Sequence, residues 1–252
     1  MTAAALVLVG HGSSRHAEAP GAVLDLAAAV RARGRFAEVA ACFLKNPPAP
    51  QAALAGLTAR QVVVVPVFSG RGHYTDHIIP RAFGLEGASG ESGGRRLVIT
   101  PPAGAHPRLP ALLAARAEAV LAAEGLRPGV ASLLLLAHGS SRAGASGETP
   151  RAVAAALAAL GRFREVAVAF LEQEPRAARW PELVAGPEVV ALPLLVAQGM
   201  HAGQDIPPLF GLGEGESGPV LAGGRRVRLA GRLGAEPELV EVVLDLAEAA
   251  LA

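Results

Sequence analysis

Residues 4–15 read AALVLVGHGSSR and residues 131–142 read ASLLLLAHGSSR, so an apolar run followed by one polar motif occurs twice. The two motifs begin at His11 and His138, an offset of 127 residues. A repeat of this length predicts two copies of one domain. The turn-forming sequence LRPG at residues 126–129 separates the copies, which gives predicted domains at residues 1–127 and 128–252.

Short apolar runs alternate with alanine-rich helical stretches in each half. The runs Ala4–Val9 and Ser132–Ala137 are typical of strands that are buried on both faces. In each half the last strand follows a glycine-rich loop, and closing helices begin at Pro107 and Pro237. The other predicted strands are Val39–Leu44, Val62–Phe68, Leu97–Thr100, Val166–Leu171, Val189–Val196 and Val227–Ala230. Regular alternation predicts an α/β fold, with one parallel sheet per half flanked by helices.

Composition and charge exclude several classes of protein. Hydrophobic residues make up 51% of the chain, which excludes a disordered chain that cannot offset its ordering entropy. The single cysteine, Cys42, excludes a disulfide framework and a Cys-x-x-Cys zinc site. A net charge of +1 argues against a nucleic-acid partner, and apolar runs such as Val62–Phe68 are too short to span a membrane. Because the N-terminus has no secretory pattern, we expect a cytoplasmic protein. We also expect a monomer or a homodimer.

Four of the seven histidines lie at or just after predicted strand ends: His11, His73, His138 and His201. Ligands of parallel sheets bind at the carboxyl ends of the strands, so these side chains are candidate metal ligands or bases. A single histidine in such a place is also compatible with a core residue. Glu172, which ends the second strand of the second half, is a candidate third ligand or a solvated surface carboxylate.

The first half departs from this pattern at two positions. Lys45 aligns with Glu172, and a charged lysine is neither a metal ligand nor a base. At the strict offset His201 aligns with Tyr74, whereas His73 aligns with Met200. The segment at residues 72–77 is therefore a second site, a shifted site or a relic.

Taken in order, HGSSR, the FLE at residues 170–172 and the GMHAGQDIP at residues 199–207 resemble the CbiX/SirB family of sirohydrochlorin chelatases. The resemblance covers both halves and corresponds to the long, internally duplicated members. It implies two chelatase-type α/β domains with a cleft between them. It also implies ATP-independent insertion of Co²⁺ or Fe²⁺, or Ni²⁺ in related members, into sirohydrochlorin during cobalamin or siroheme synthesis. The metal is then a substrate, and no nucleotide or organic cofactor is needed.

The resemblance also implies roles for particular residues. His138 matches the metal-contacting histidine that accepts protons, His201 the second metal histidine, and Glu172 the acidic residue. His11 is the corresponding catalytic and metal candidate of the first half, with His73 as its second histidine. We expect the second half to hold the principal site because its motifs are intact. The segment expected to line the tetrapyrrole comprises Val196, Ala197, Gln198, Gly199 and Met200.

The charge of the chain is divided unequally between its halves. Residues 1–127 carry 13 basic and 8 acidic side chains, whereas residues 128–252 carry 10 basic and 14 acidic ones. This split is compatible with packing of the two halves, or with a first half that holds an anionic substrate. Arg71 and Arg81 are candidates for binding the substrate carboxylates, or are solvated surface residues.

Two other functions remain open from sequence alone. A non-enzymatic metal or tetrapyrrole carrier requires the same ligands as a chelatase. A phosphatase with a histidine nucleophile also places a histidine early in the chain. It needs a basic phosphate pocket beside that histidine, and a single arginine, Arg15 or Arg142, is weak evidence for one.

Overall fold

A computed structural model describes residues 2–13, 20–139, 147–194, 205–231 and 237–252, in which strands and helices alternate through both repeats. The first repeat contains β1 (Thr2–Gly10), α1 (Gly21–Ala32), β2 (Phe36–Phe43), α2 (Pro50–Ala55), β3 (Gln61–Pro66), α3 (Ile79–Ala82), β4 (Ser89–Ser92), β5 (Arg95–Ile99) and α4 (Leu109–Ala122). The second contains β6 (Ala131–Ala137), α5 (Glu148–Ala159), β7 (Glu165–Phe170), β8 (Glu188–Pro193), β9 (Val220–Ala222), β10 (Arg225–Leu229) and α6 (Pro237–Ala249). Of the helices in these ranges, none has the length and apolarity to cross a bilayer.

Each repeat forms one five-stranded sheet whose central strands are apolar throughout. The strand orders are β2-β1-β3-β5-β4 and β7-β6-β8-β10-β9, and four strands of each sheet are parallel. From Ala4 to Gly10 every residue of β1 is buried, as is every residue of β6. Strands covered on both faces need apolar side chains on both faces, which explains the unbroken runs. The predicted fold class, sheets that are mostly parallel and flanked by helices, is confirmed.

The edge of each sheet is a hairpin that the sequence did not predict. Where a glycine-rich loop was expected, β4 pairs antiparallel with β5, and β9 pairs antiparallel with β10. Gly93 and Gly94 link β4 to β5 with φ of +57° and +72°. Two central residues with positive φ are the requirement of the tight turn that matches the strand twist of a hairpin. The expectation of a loop was therefore wrong, because these glycines connect two paired strands.

The closing helices are exchanged between the two compact units of the chain. One unit contains the first sheet together with α6, which packs against α1 and β3. The other contains the second sheet together with α4, which packs against α5 and β8. Each sheet is thus covered by the closing helix of the other repeat. The boundary near residue 127 describes the sequence repeat, and it stays a prediction as a division into domains.

A buried arginine fixes α4 to the second sheet. The Arg228 side chain in β10 is only 2% exposed. Its Nε and Nη2 atoms each donate to a carboxylate oxygen of Glu124, just beyond α4, at 2.7 Å, and Nη1 donates to Glu188 at 2.6 Å. These hydrogen bonds from Arg228 lower the pKa of the Glu124 carboxyl. A buried guanidinium is tolerated here because two carboxylates satisfy it.

Two equivalent glutamates, one in β2 and one in β7, bind the loops that lead into β3 and β8. Glu38 accepts hydrogen bonds from the backbone amides of Thr58 at 2.9 Å and Ala59 at 2.8 Å. Glu165, at the offset of 127, accepts the Ser132 hydroxyl at 2.5 Å and the amides of residues 185 and 186 at 2.7 and 2.9 Å. Burial raises the pKa of Glu165, but these hydrogen bonds together lower it below the ordinary value. The two repeats therefore share one scaffold.

Candidate functional site

Two side chains of the second repeat meet where neighbouring parallel strands end. His138 follows β6 directly, and Glu172 lies two residues beyond β7, the strand paired with β6. The His138 Nε2 atom lies 3.5 Å from Oε1 of Glu172, and the Glu172 amide donates to the His138 carbonyl at 2.9 Å. The side chains are 39% and 46% exposed. An imidazole nitrogen and a carboxylate oxygen that solvent can reach are able to bind a divalent cation or exchange a proton.

The turn after each histidine requires glycine. Gly12 has a φ of +69° and Gly139 a φ of +73°, both in the left-handed region. The same turns approach the loop of the neighbouring strand so closely that a Cβ at Gly12 would collide with Asn46, and one at Gly139 with Gln173. Asn46 Oδ1 also accepts a hydrogen bond from the Ser13 amide at 2.5 Å. These contacts fix the backbone directly beside each histidine.

The first repeat places an aromatic cluster beside its histidine. Tyr74 packs edge-on against the His11 ring with the ring centroids 4.7 Å apart, and Phe68 stacks with Tyr74 at 6.4 Å. His11 Nδ1 lies 2.8 Å from the Gly12 carbonyl. Since a carbonyl only accepts, Nδ1 carries the proton of a neutral ring and Nε2 keeps the lone pair. The first repeat thus places an imidazole nitrogen with a lone pair beside two aromatic rings.

His73 is not the residue that packs against His11. Its exposed ring lies 6.2 Å from the Tyr74 ring and 5.5 Å from the His77 ring. The residue that does pack against His11 is Tyr74, which aligns with His201 in the sequence at the strict offset. Lys45, also exposed, occupies the position that Glu172 has in the second repeat. The first repeat therefore offers a tyrosine and a lysine at the two positions where the second offers metal-ligating residue types.

Several predicted site residues lie outside the described part of the chain. These are His201 and the proposed tetrapyrrole-lining segment at residues 196–200. The described members of the predicted second-repeat ligand set are His138 and Glu172. Among described residues, no group of three or more His, Cys, Asp or Glu side chains is arranged to hold a metal.

The two predicted substrate-binding arginines are exposed, whereas the single cysteine is buried. Arg71, in the loop after β3, and Arg81, in α3, are both exposed, and their role in binding carboxylates stays a prediction. Cys42 is buried, and burial raises the pKa of its thiol to about 12. A thiol that is buried in the core and protonated at neutral pH is a poor candidate for a metal ligand.

Sequence reasoning missed Asn46, Gln173 and the aromatic role of Phe68. Asn46 and Gln173 lie 127 residues apart, each three residues after the phenylalanine that ends β2 or β7. The repeat itself was therefore a signal for them, although the residue types differ. Phe68 was predicted only as a strand residue, whereas it lies beyond β3 and faces the ring of Tyr74.

Comparison with known proteins agrees with the resemblance found in the sequence. The probable sirohydrochlorin cobaltochelatase of Halobacterium salinarum is 28% identical over 264 residues, which cover 96% of this chain and 90% of that protein. The structure of CbiX, the terminal enzyme for biosynthesis of siroheme in denitrifying bacteria, matches with a TM-score of 0.74 and 25% identity over 99% of both chains.

A longer solved structure shares the same fold. A multi-domain protein of Deinococcus radiodurans, with structural similarity to chelatases and two additional novel domains, matches 97% of this chain. The TM-score is 0.79 at 31% identity, and this chain spans 54% of that protein's length. The family model of CbiX matches residues 5–120 and 132–250, one match per repeat. Since these matches include most of both repeats, the chain belongs to the CbiX family.

Proposed function

We propose that this chain is a chelatase that inserts Co²⁺ or Fe²⁺ into sirohydrochlorin without a nucleotide. The observation that carries the proposal is the pair of His138 and Glu172, 3.5 Å apart at adjoining strand ends. Membership of the CbiX family and the similarity to a probable sirohydrochlorin cobaltochelatase support the substrate. The metal is consumed as a substrate, so the site must release it as well as bind it.

The chemistry is an exchange of one divalent ion for two pyrrole N–H protons. His138 Nε2 holds the ion and, once the ion has moved to the pyrrole nitrogens, accepts one of the two protons, while the other passes to water. The Glu172 carboxylate offsets the positive charge beside His138. His201 completes the proposed set. Two imidazoles and one carboxylate leave coordination positions open for water and then for pyrrole nitrogens. A closed set of four protein ligands would instead trap the ion.

The substrate carries many carboxylates, and we assign Arg71 and Arg81 to them. Guanidinium groups bind carboxylates in a bidentate fork, and both arginines are exposed. The tetrapyrrole face is assigned to residues 196–200. We place the activity in the cytoplasm, in a monomer or homodimer, where a chain without a disulfide framework suits the reducing conditions.

The test is the metal-dependent loss of the absorption of free sirohydrochlorin, with Co²⁺, Fe²⁺ and Ni²⁺ supplied in turn. Many turnovers per chain are expected. Consumption that stops at one equivalent would identify a carrier, and phosphate release from a simple phosphomonoester without metal insertion would identify a phosphatase.

Variants then locate the site. His138→Ala and Glu172→Gln should each lower the insertion rate, by about 10²-fold or more for the histidine, the usual contribution of a positioned acid or base. His11→Ala is the matched control, at the same strand end of the other repeat, and should have a smaller effect. A larger loss in His11→Ala would place the principal site in the first repeat.

A further inference from the structure

We propose that His73 and His77 form a second binding site for a divalent transition metal, one that works without the tetrapyrrole. The two rings lie on successive turns of a short helical segment, with centroids 5.5 Å apart and planes tilted by 49°. Both side chains are exposed. The insertion site proposed above consists of His138, Glu172 and His201 of the second repeat, so the pair is distinct from it. His73 is a metal candidate of the first repeat from sequence, but His77 has no place in the ligand set that the family resemblance implies.

The ring separation fits chelation of one ion. A metal–nitrogen bond of about 2.1 Å places the ion about 3.2 Å from each ring centroid. Two imidazoles at a tetrahedral angle then have centroids about 5.2 Å apart, and at a right angle about 4.5 Å. The observed 5.5 Å is close to the tetrahedral value.

The helical segment that carries the pair is held from its buried side. Thr75, only 7% exposed, accepts the Gly72 amide at 2.9 Å, and its hydroxyl lies 3.0 Å from both the Gly72 carbonyl and the Asp76 carboxylate. The Asp76 amide donates to the Gly72 carbonyl at 2.9 Å, and Ile79 is fully buried below the turn. A backbone fixed in this way presents two ligands with little ordering cost on binding.

Sequence spacing supports the same conclusion. Histidines four residues apart on a helix face the same side and are a recurrent metal-binding pair. The segment Tyr74–Ile78 has the wider π-helical hydrogen bonding, with the Ile79 amide reaching the Tyr74 carbonyl. A single π-helical turn of this kind often occurs at functional sites. At the offset of 127 the second repeat has Met200 and Gln204, so the pair belongs to the first repeat alone.

The ligand is a cation of the Co²⁺, Ni²⁺ or Zn²⁺ class, for which imidazole is a suitable donor. With two protein ligands, water completes the coordination sphere and the ion exchanges readily. Such a site would keep the metal substrate near the first repeat. Metal capture at this pair goes beyond the proposed insertion reaction and does not require it.

The test is equilibrium dialysis of the full chain against Co²⁺ without sirohydrochlorin, together with the visible absorption of bound Co²⁺. A His138→Ala/Glu172→Gln background weakens the proposed insertion site. In that background His73→Gln and His77→Gln should each remove one bound Co²⁺, with affinity lowered by about 100-fold or more, because the second ligand acts intramolecularly. His106→Gln, in the turn after β5, is the control and should change the affinity less than twofold.

Three outcomes would overturn the proposal: no Co²⁺ binding by the background chain, unchanged binding in His73→Gln, or unchanged binding in His77→Gln. Thermal unfolding of each variant checks that the fold is retained. Since no tetrapyrrole is present, failure of metal insertion with intact Co²⁺ binding would refute the proposed function and leave this site standing. Normal metal insertion by the parent chain, with unchanged Co²⁺ binding in His77→Gln, would support the proposed function and refute this site.

Discussion

Replacement of Gly12 by alanine should cost more stability than replacement of Gly139, whereas replacement of Gly139 should cost more activity. Both glycines have φ near +70°, and an L-residue in that region costs about 1–2 kcal/mol. At Gly12 the new methyl group also displaces Asn46 from the Ser13 amide, a hydrogen bond that contributes about 1 kcal/mol. We therefore expect Gly12→Ala to lose about 2–3 kcal/mol and Gly139→Ala about 1–2 kcal/mol.

The order of the two variants should reverse for metal insertion. The Cβ of Gly139→Ala would lie 2.7 Å from Cγ of Gln173, so this side chain must shift, and we expect the adjoining Glu172 to shift with it relative to His138. A displacement of about 1 Å at reacting groups costs about 10²-fold in rate. Gly12→Ala leaves the second-repeat pair undisturbed and should cost less than about tenfold. The more stable variant is thus expected to be the less active one.

Urea unfolding and the rate of Co²⁺ insertion measure the two quantities on the same preparations. Gly139→Ala/Gln173→Ala gives a further check, because removal of Cγ makes room for the methyl group while the backbone strain stays. Activity should partly return without recovery of stability. Equal stability of parent and variants would show that the turns are not constrained, and a greater activity loss in Gly12→Ala would assign the reaction to the first repeat.

Three further changes have defined outcomes. Arg228→Ala should lose about 3–5 kcal/mol, because two carboxylates are left without their buried partner, whereas the exposed Arg226→Ala should change urea stability by less than about 0.5 kcal/mol. The pKa of Glu165 is lowered on folding, so its contribution is complete above about pH 4.3 and disappears as the pH falls through the folded value. The stability difference between the parent and Glu165→Gln should therefore shrink in acid, and a difference that grows would contradict this sign. Arg71→Gln and Arg81→Gln should raise the apparent KM for sirohydrochlorin at low salt and have less effect at high salt, where exposed charge pairs are screened; a KM difference that is independent of salt would remove the carboxylate assignment.

Elements buried on both faces could be predicted from the sequence, and elements with weak burial could not. The runs at β1 and β6 are apolar at every position because helices cover both faces of the sheet. The edge strand β4, with the sequence SGES, has no fully buried residue and carries no hydrophobic pattern. The sequence also does not indicate that α4 packs with the second sheet and α6 with the first, since an apolar helix face fits either sheet.

The candidate site was predictable where a residue's chemistry is unusual for its position. A histidine directly after a buried strand, or a glutamate after a phenylalanine, stands out from apolar surroundings, and the structure brings His138 and Glu172 together. The side chains that hold the turns were missed because Asn46 and Gln173 act through shape, by filling the space above a glycine. Such contacts depend on distances between loops that no local pattern records.

The repeats share their scaffold and differ at the positions that carry chemistry. Both have a glycine turn with φ near +70° after the histidine and a glutamate that anchors the opposite end of the sheet. The acidic position is Glu172 in one repeat and Lys45 in the other. A carboxylate there favours a cation, whereas an ammonium repels a cation and attracts the carboxylates of an anionic substrate. The same position of one duplicated scaffold can therefore carry opposite charges in its two copies.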